Sequence, residues 1–278
     1  VNVRRFISGA IYALSGTIGV LAFVYPFFIL APSPMPRGLA HGQDAPLVTA
    51  ALVGLSMVAL LVEVQGQAIS AKMVAMLGVL VAITSVLRFI EVVIPMPGGF
   101  SPIFVPVILS GYVFGGHFGF LMGAFTLLVS ALVTGNVGPW LPYQMFTAGW
   151  VGLSAGWLGQ ILNSKAKTKA KIPNPKRLGF EVGLLCVLGF FWGLLYGAIM
   201  NIYFWPFAVG PSDQTWRPGI SLGETLARYA VFYLATSLAW DMARAVGNVA
   251  LILLLGAPTV RALTRFRRRF HFEVRPYA

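Results

Sequence analysis

Long apolar runs, broken by short clusters of Pro, Gly and charge, dominate the chain. Read on hydropathy and on those breaks, eight runs stand out: residues 6–31, 46–64, 72–93, 102–116, 118–134, 143–163, 180–204 and 222–256. A bilayer's hydrocarbon core of about 30 Å asks for roughly 20 apolar residues per helix, and these runs are of that order. The pattern predicts an all-α integral membrane fold of about eight transmembrane helices. The last run is too long for one perpendicular crossing and contains Arg228, Asp241, Arg244 and Asn248. Part of it is therefore expected to tilt, kink or lie at the interface. The first run exceeds a signal-peptide core and is followed by APSPMP rather than a small-residue cleavage site, which predicts a retained span.

Composition agrees with this pattern. Of 278 residues, 58% are hydrophobic and only 10% charged, too little polar surface to clothe a water-soluble globule. The formal net charge of +12 raises the possibility of a nucleic-acid partner, but the placement of the cations argues against it. Arg4 and Arg5 precede the first run, and Lys72 follows the second. Lys165, Lys167, Lys169, Lys171, Lys176 and Arg177 follow the sixth, and Arg261, Arg265, Arg267, Arg268 and Arg269 follow the eighth. Only Arg37 and Arg217 fall in the alternate loops. Such asymmetry predicts a multi-pass membrane protein with both termini and the 164–178 loop on the cytoplasmic side. KAKTKAK reads as a solvated linker with some affinity for anionic headgroups.

The Pro-rich stretch from Ala31 to Pro46 separates two helices from the rest. The expected organisation is an N-terminal two-helix extension (1–66), a six-helix core (67–258) and a basic tail (259–278).

Enzymatic chemistry finds little support. No G-x-x-x-x-G-K-[ST] loop is present to cradle nucleotide phosphates, so any ATP-driven step belongs to partner chains. His41, His117 and His271 are far apart, with no H-E-x-x-H and no cysteine pair, so no metal or cofactor is expected. Cys186 is the only cysteine and forms no internal disulfide. No nucleophile with a paired base and no paired carboxylates are visible within the runs.

Two constellations remain. Ala71, Ala75, Gly78 and Ala82 fall at spacings of four, three and four, placing a stripe of small residues on one helical face. Such faces let helices approach closely in a solvent where hydrophobic burial gains little. The stripe fits packing inside the bundle or docking of a partner membrane protein. The second constellation is a set of aromatic, Pro- and Gly-rich loops at 94–104, 135–145 and 201–216, which the charge asymmetry places on one side. Phe100, Phe104, Trp140, Tyr143, Tyr203, Phe204 and Trp205 offer apolar area; Ser101, Gln144 and Asn201 offer polar contacts. Trp and Tyr also enrich at membrane interfaces, but three such loops on one face favour a pocket for a large, flat, partly polar ligand. Arg88 with Glu91, and Asp241 with Arg244, are each three apart, so each couple is expected to close on its own helix.

LGVLVAITSVLRF, GGFSPIF, the tract from Gly111 to Gly159 and NIYFWPF together resemble the substrate-specific (S) component of energy-coupling factor (ECF) transporters, over residues 70–256. Within that family the HGQDAP and GPWLPYQM segments are most similar to the branch predicted to carry cobalamin. The resemblance implies a non-enzymatic six-helix core that takes a vitamin on its outer face. It also implies partners: a transmembrane coupling subunit and two cytoplasmic ATPases. Ala71, Ala75, Gly78 and Ala82 would then form the docking face. The implied ligand site comprises Phe100, Ser101, Phe104, Trp140, Tyr143, Gln144, Asn201, Phe204 and Trp205. The extra amino-terminal spans lie outside the minimal S fold. Alternatives are an S component for a different vitamin and a membrane-embedded scaffold that holds lipid, pigment or another protein.

Overall fold

A computed structural model of the chain describes residues 2–24, 26–29, 71–94, 100–165 and 175–269, with single positions between 47 and 58. The expected run at 46–64, apart from those positions, the Pro-rich loop before it, residues 95–99, the KAKTKAK tract beyond Lys165 and the tail beyond Arg269 lie outside the described residues. Every regular element among the described residues is helical: α1 (Asn2–Val24), α2 (Pro26–Ile29), α3 (Ala71–Val93), α4 (Phe104–Phe114), α5 (Gly116–Thr134), α6 (Leu141–Lys165), α7 (Pro175–Phe204), a 3-10 turn (Trp205–Phe207), α8 (Leu222–Thr236) and α9 (Leu238–Arg269).

Among the described residues, four stretches are long and apolar enough to cross a bilayer: Ala71–Val93, Gly116–Thr134, Pro175–Phe207 and Leu238–Arg268. Phe104–Phe114 is a shorter apolar helix. Helix α6 is as long as a span but carries Gln144, Gln160 and several glycines. Its neighbours enclose most of it, so protein rather than lipid is its main solvent.

Helix starts and stops follow local chemistry. Gly115 joins α4 to α5 with φ 106° and ψ 171°, a conformation that a Cβ would forbid, and its N–H still reaches the Gly111 carbonyl at 2.8 Å. Ser221 caps α8: its hydroxyl accepts from the Glu224 N–H at 3.2 Å, the arrangement that S-x-x-E at a helix start favours.

The run expected over 222–256 is two helices meeting at Ser237, and α9 continues past the expected core boundary to Arg269. Gly197 of α7 lies against Asp241, Gly193 against Ala245, and Gly189 against Asn248 and Ile252. This order makes α9 antiparallel to α7 and starts it at the end where α7 finishes. Helix α8 therefore stays at that end of the bundle, and only α9 crosses back. Its tether to α7 is polar. Tyr229 donates to the Ala198 carbonyl, and burial raises its pKa above the ordinary phenol value, which keeps it a donor. Asn201 Nδ2 donates to Ser237 Oγ at 2.6 Å.

The tightest seam joins α5 to α6 through glycine. A methyl group on Gly152 would overlap the Gly119 carbonyl, one on Gly123 the Ala148 carbonyl, and one on Gly156 the Gly116 amide nitrogen. Backbone thus meets backbone over three turns, where dispersion and carbonyl dipoles replace the side-chain packing that lipid would not reward. The main core gathers around this seam and includes Phe120, Leu121, Met122, Met145, Phe146 and Val151.

Candidate functional site

The three aromatic loops meet at one end of the bundle, marked by the last two turns of α7. Phe104 packs edge-on to Tyr196 with ring centroids 4.7 Å apart, and Tyr143 lies 4.7 Å from Tyr203. Trp205 follows directly in the 3-10 turn. The opposite end carries the basic terminus of α9, where Arg267 donates to the Val113 carbonyl at 2.5 Å beside the α4–α5 hinge.

At the aromatic end the candidate residues fall into two groups. The first lies between α3, α4 and α9. Arg88 pairs with Glu91 at 3.1 Å, and Ser101 donates its hydroxyl to the second oxygen of Glu91 at 2.6 Å. Arg244 pairs with Asp241 at 2.5 Å and donates to the Gly193 carbonyl at 3.2 Å. Its guanidinium also sits 5.8 Å from the Phe104 ring centroid and 5.5 Å from that of Tyr196. Both couples close on their own helices, as their spacing predicts. What spacing does not reveal is that the Arg244 guanidinium comes to lie beside rings of two other helices. Phe100 presses its ring onto Gly247 of α9, where a methyl group would overlap it. A charge inside a bilayer is costly unless paired, and here each lies beside its counter-charge under the loop that leads into α4.

The second group joins α1, α6, α7 and α8. Tyr143 is fully buried, edge-on to Phe23 at 4.8 Å, with Trp140 and Phe204 packed against the same cluster. Phe204 also meets Phe232 of α8 at 5.7 Å. Trp205 is 2% exposed, lies 4.9 Å from Tyr229 and donates its indole N–H to the Gln214 carbonyl at 2.8 Å. The extension thus packs onto this group through Phe23, and Phe27 stands 5.9 Å from Trp205 and 5.3 Å from Trp216.

The polar handles differ in how far they are committed. Ser101 is taken up by Glu91, Asn201 by Ser237 and the Trp205 indole by Gln214. Gln144 is half-buried, and its side-chain amide has no hydrogen-bond partner among the described residues. Among the described residues it is an uncommitted handle, one helical turn from Trp140.

Sequence reasoning did not select Tyr196, Phe27, Trp216 or Tyr229. Trp216 sits in an aromatic loop that had been marked, and Tyr229 with Tyr233 forms an i, i+4 pair on α8. Tyr196 looks like any mid-helix aromatic until the fold sets Arg244 5.5 Å from its ring centroid.

A groove of about 450 Å³ opens beside the second group, lined by residues of the α1–α2 end, Ile202, Trp205 and the 216–229 segment. The small-residue stripe lies elsewhere. Ala71, Ala75, Gly78 and Ala82 are all exposed on α3, and a methyl group on Gly78 would meet nothing within 4 Å. Leu77, Val81, Thr84 and Ser85, on the other side of the helix, are buried. Among the described residues no cluster of His, Cys, Asp or Glu is suited to a metal.

No curated protein and no solved structure matches the chain. Residues 72–256 match the family described as ECF transporter, substrate-specific component, a span that begins with α3 and ends within α9. The chain therefore belongs to that family: it is a multi-pass substrate-specific membrane subunit of an ECF transporter, not an enzyme, and it works with coupling and ATPase subunits that supply ATP hydrolysis.

Proposed function

We propose that this subunit captures cobalamin or a related corrinoid at the aromatic end of its bundle and presents it to the coupling subunit through the small-residue face of α3. The observation that carries this reading is the gathering of all three aromatic loops around the last turns of α7, with uncommitted Gln144 among them. A corrinoid is broad and flat, apolar on its faces and fringed with amides. Aromatic walls such as Phe100 and Trp140 match the faces, with buried Phe104 supporting them from behind, and the Gln144 amide matches the fringe. Ser101 and Asn201, held by Glu91 and Ser237, act by fixing the loop and the α8–α9 junction that frame the site. Tyr143, Phe204 and Trp205 form the packed wall behind it.

Docking follows from the exposure of Ala71, Ala75, Gly78 and Ala82 on a helix whose other face is anchored in the core. A smooth face permits close helix approach by a partner and release without breaking polar contacts. In this orientation the aromatic end faces outward. The basic terminus of α9 and both chain termini face the cytoplasm of a bacterial cell, as the loop charges require.

Corrinoids absorb visible light, so saturable binding of cobalamin to the purified chain is directly measurable. The expected result is retention of one corrinoid per chain, with Trp140→Ala weakening binding about tenfold, the weight of one lost aromatic contact. Absence of saturable cobalamin binding removes the substrate assignment. Undiminished affinity in Trp140→Ala removes that residue from the site.

A further inference from the structure

The groove beside Trp205 lies partly outside the matched region, since one wall comes from Val24, Phe27 and Phe28 of the extension. Its lining is apolar with one charged residue, Arg217. The polar groups already committed within it are the Trp205 indole, given to Gln214, the Tyr229 phenol, given to Ala198, and the Thr225 hydroxyl, given to Ser221 at 2.9 Å. Two polar groups in the lining have no partner among the described residues: the Arg217 guanidinium and the Trp216 indole N–H. Arg217 is exposed and Trp216 half-buried, and both are donors adjacent in sequence, so an occupant with acceptors, preferably charged, is complementary to this spot. The rest of the occupant must be apolar. At the mouth, Phe28 is 82% exposed, Leu222 75% and Leu226 60%, so the groove opens onto the surface that meets hydrocarbon rather than toward water. Arginine beside tryptophan at the end of a bundle suits the headgroup level of a membrane.

We infer that the groove is a binding site for an anionic phospholipid, with an acyl chain laid along Phe27, Phe28 and Leu226 and the phosphate received by Arg217 and Trp216. A lipid held there fills the gap between the extension and α8, and so joins the added helices to the matched core. This inference does not depend on which vitamin the subunit carries.

The test uses the full chain, purified in detergent and exposed to an equimolar mixture of phosphatidylglycerol and phosphatidylcholine with matched acyl chains; retained lipid is counted by native mass spectrometry. Wild type is expected to keep about one lipid per chain, with phosphatidylglycerol favoured about fivefold, the weight of one cation near one anionic headgroup. Arg217→Gln should abolish that preference while lipid is still retained, and Arg217→Lys should restore most of it. Leu226→Trp, which fills the groove, should lower retention of both lipids. Monodisperse elution and an unchanged melting temperature verify the fold of each variant. Equal retention of the two lipids by wild type, an undiminished preference in Arg217→Gln, or no bound lipid at all would overturn the site. Stoichiometric displacement of the lipid by cobalamin would instead assign the groove to the transported ligand and equally overturn it.

Discussion

Small residues spaced along a helix serve two different ends in this molecule. On α5 and α6, Gly119, Gly123, Gly152 and Gly156 are buried, and each is pressed so closely on the facing backbone that a methyl group would collide. On α3, Ala71, Ala75, Gly78 and Ala82 share the same kind of spacing but face outward with no such neighbour at Gly78. The first arrangement is a closed seam that holds the core together. The second is a bare face, left smooth on a helix already anchored by Leu77, Val81, Thr84 and Ser85. Within lipid, a stripe of small residues permits another helix to come near. The stripe does not say whether that helix belongs to the same chain.

Substitutions that respect or violate this distinction test it directly. The largest effect is expected for Gly152→Leu, since an isobutyl group has no room between two backbones. It should cost about 3 kcal/mol or more and leave little monodisperse protein on size-exclusion chromatography. Unaltered yield and melting behaviour would mean that the seam opens easily. Next, Ala71→Leu combined with Ala75→Leu should change stability by no more than about 0.5 kcal/mol, as expected of surface positions, while uptake in cells is lost because the coupling subunit cannot approach. Vitamin binding by the purified double variant should match wild type. Full uptake would remove α3 from the docking face. The smallest and sharpest comparison is a matched pair of single methyl groups. Gly123→Ala should destabilise by about 2 kcal/mol through overlap with the Ala148 carbonyl. Gly78→Ala should be neutral or stabilise by about 0.5 kcal/mol through helix propensity alone. Equal melting shifts for the pair would erase the difference between the two regions.

Features that depend on neighbours in sequence were legible in advance. The couples Arg88–Glu91 and Asp241–Arg244 close as i, i+3 pairs because one helical turn brings them together wherever the helix goes. Cys186 is buried and free. The division of residues 222–256 was only half visible. Excess length and internal charge predicted a bend or an interfacial segment, and S-x-x-E at Ser221–Glu224 is a start signal that went unread. The break at Ser237 rests on the Asn201 amide of another helix, which no local pattern encodes. That Phe104, Tyr143 and Trp205 fall at one end of the bundle follows from the order of the runs, but their arrangement does not. Phe104, Tyr143 and Trp205 could be chosen as aromatics in loops, yet their burial against Tyr196, Phe23 and Tyr229 comes from helices far along the chain.

The sequence by itself determined that this chain lives in lipid, that its fold is helical, and that it carries no G-x-x-x-x-G-K-[ST] loop for cradling nucleotide. Hydropathy, charge placement and motif spacing act through the solvent and the local backbone, and neither needs a fold to take effect. Only the tertiary structure decided which small residues close a seam and which stay bare, that Arg244 stands over the Phe104 and Tyr196 rings, and that Arg217 and Trp216 border an apolar groove. Those outcomes depend on how helices pack, and packing is set by contacts between residues that the chain brings together from tens to hundreds of positions apart.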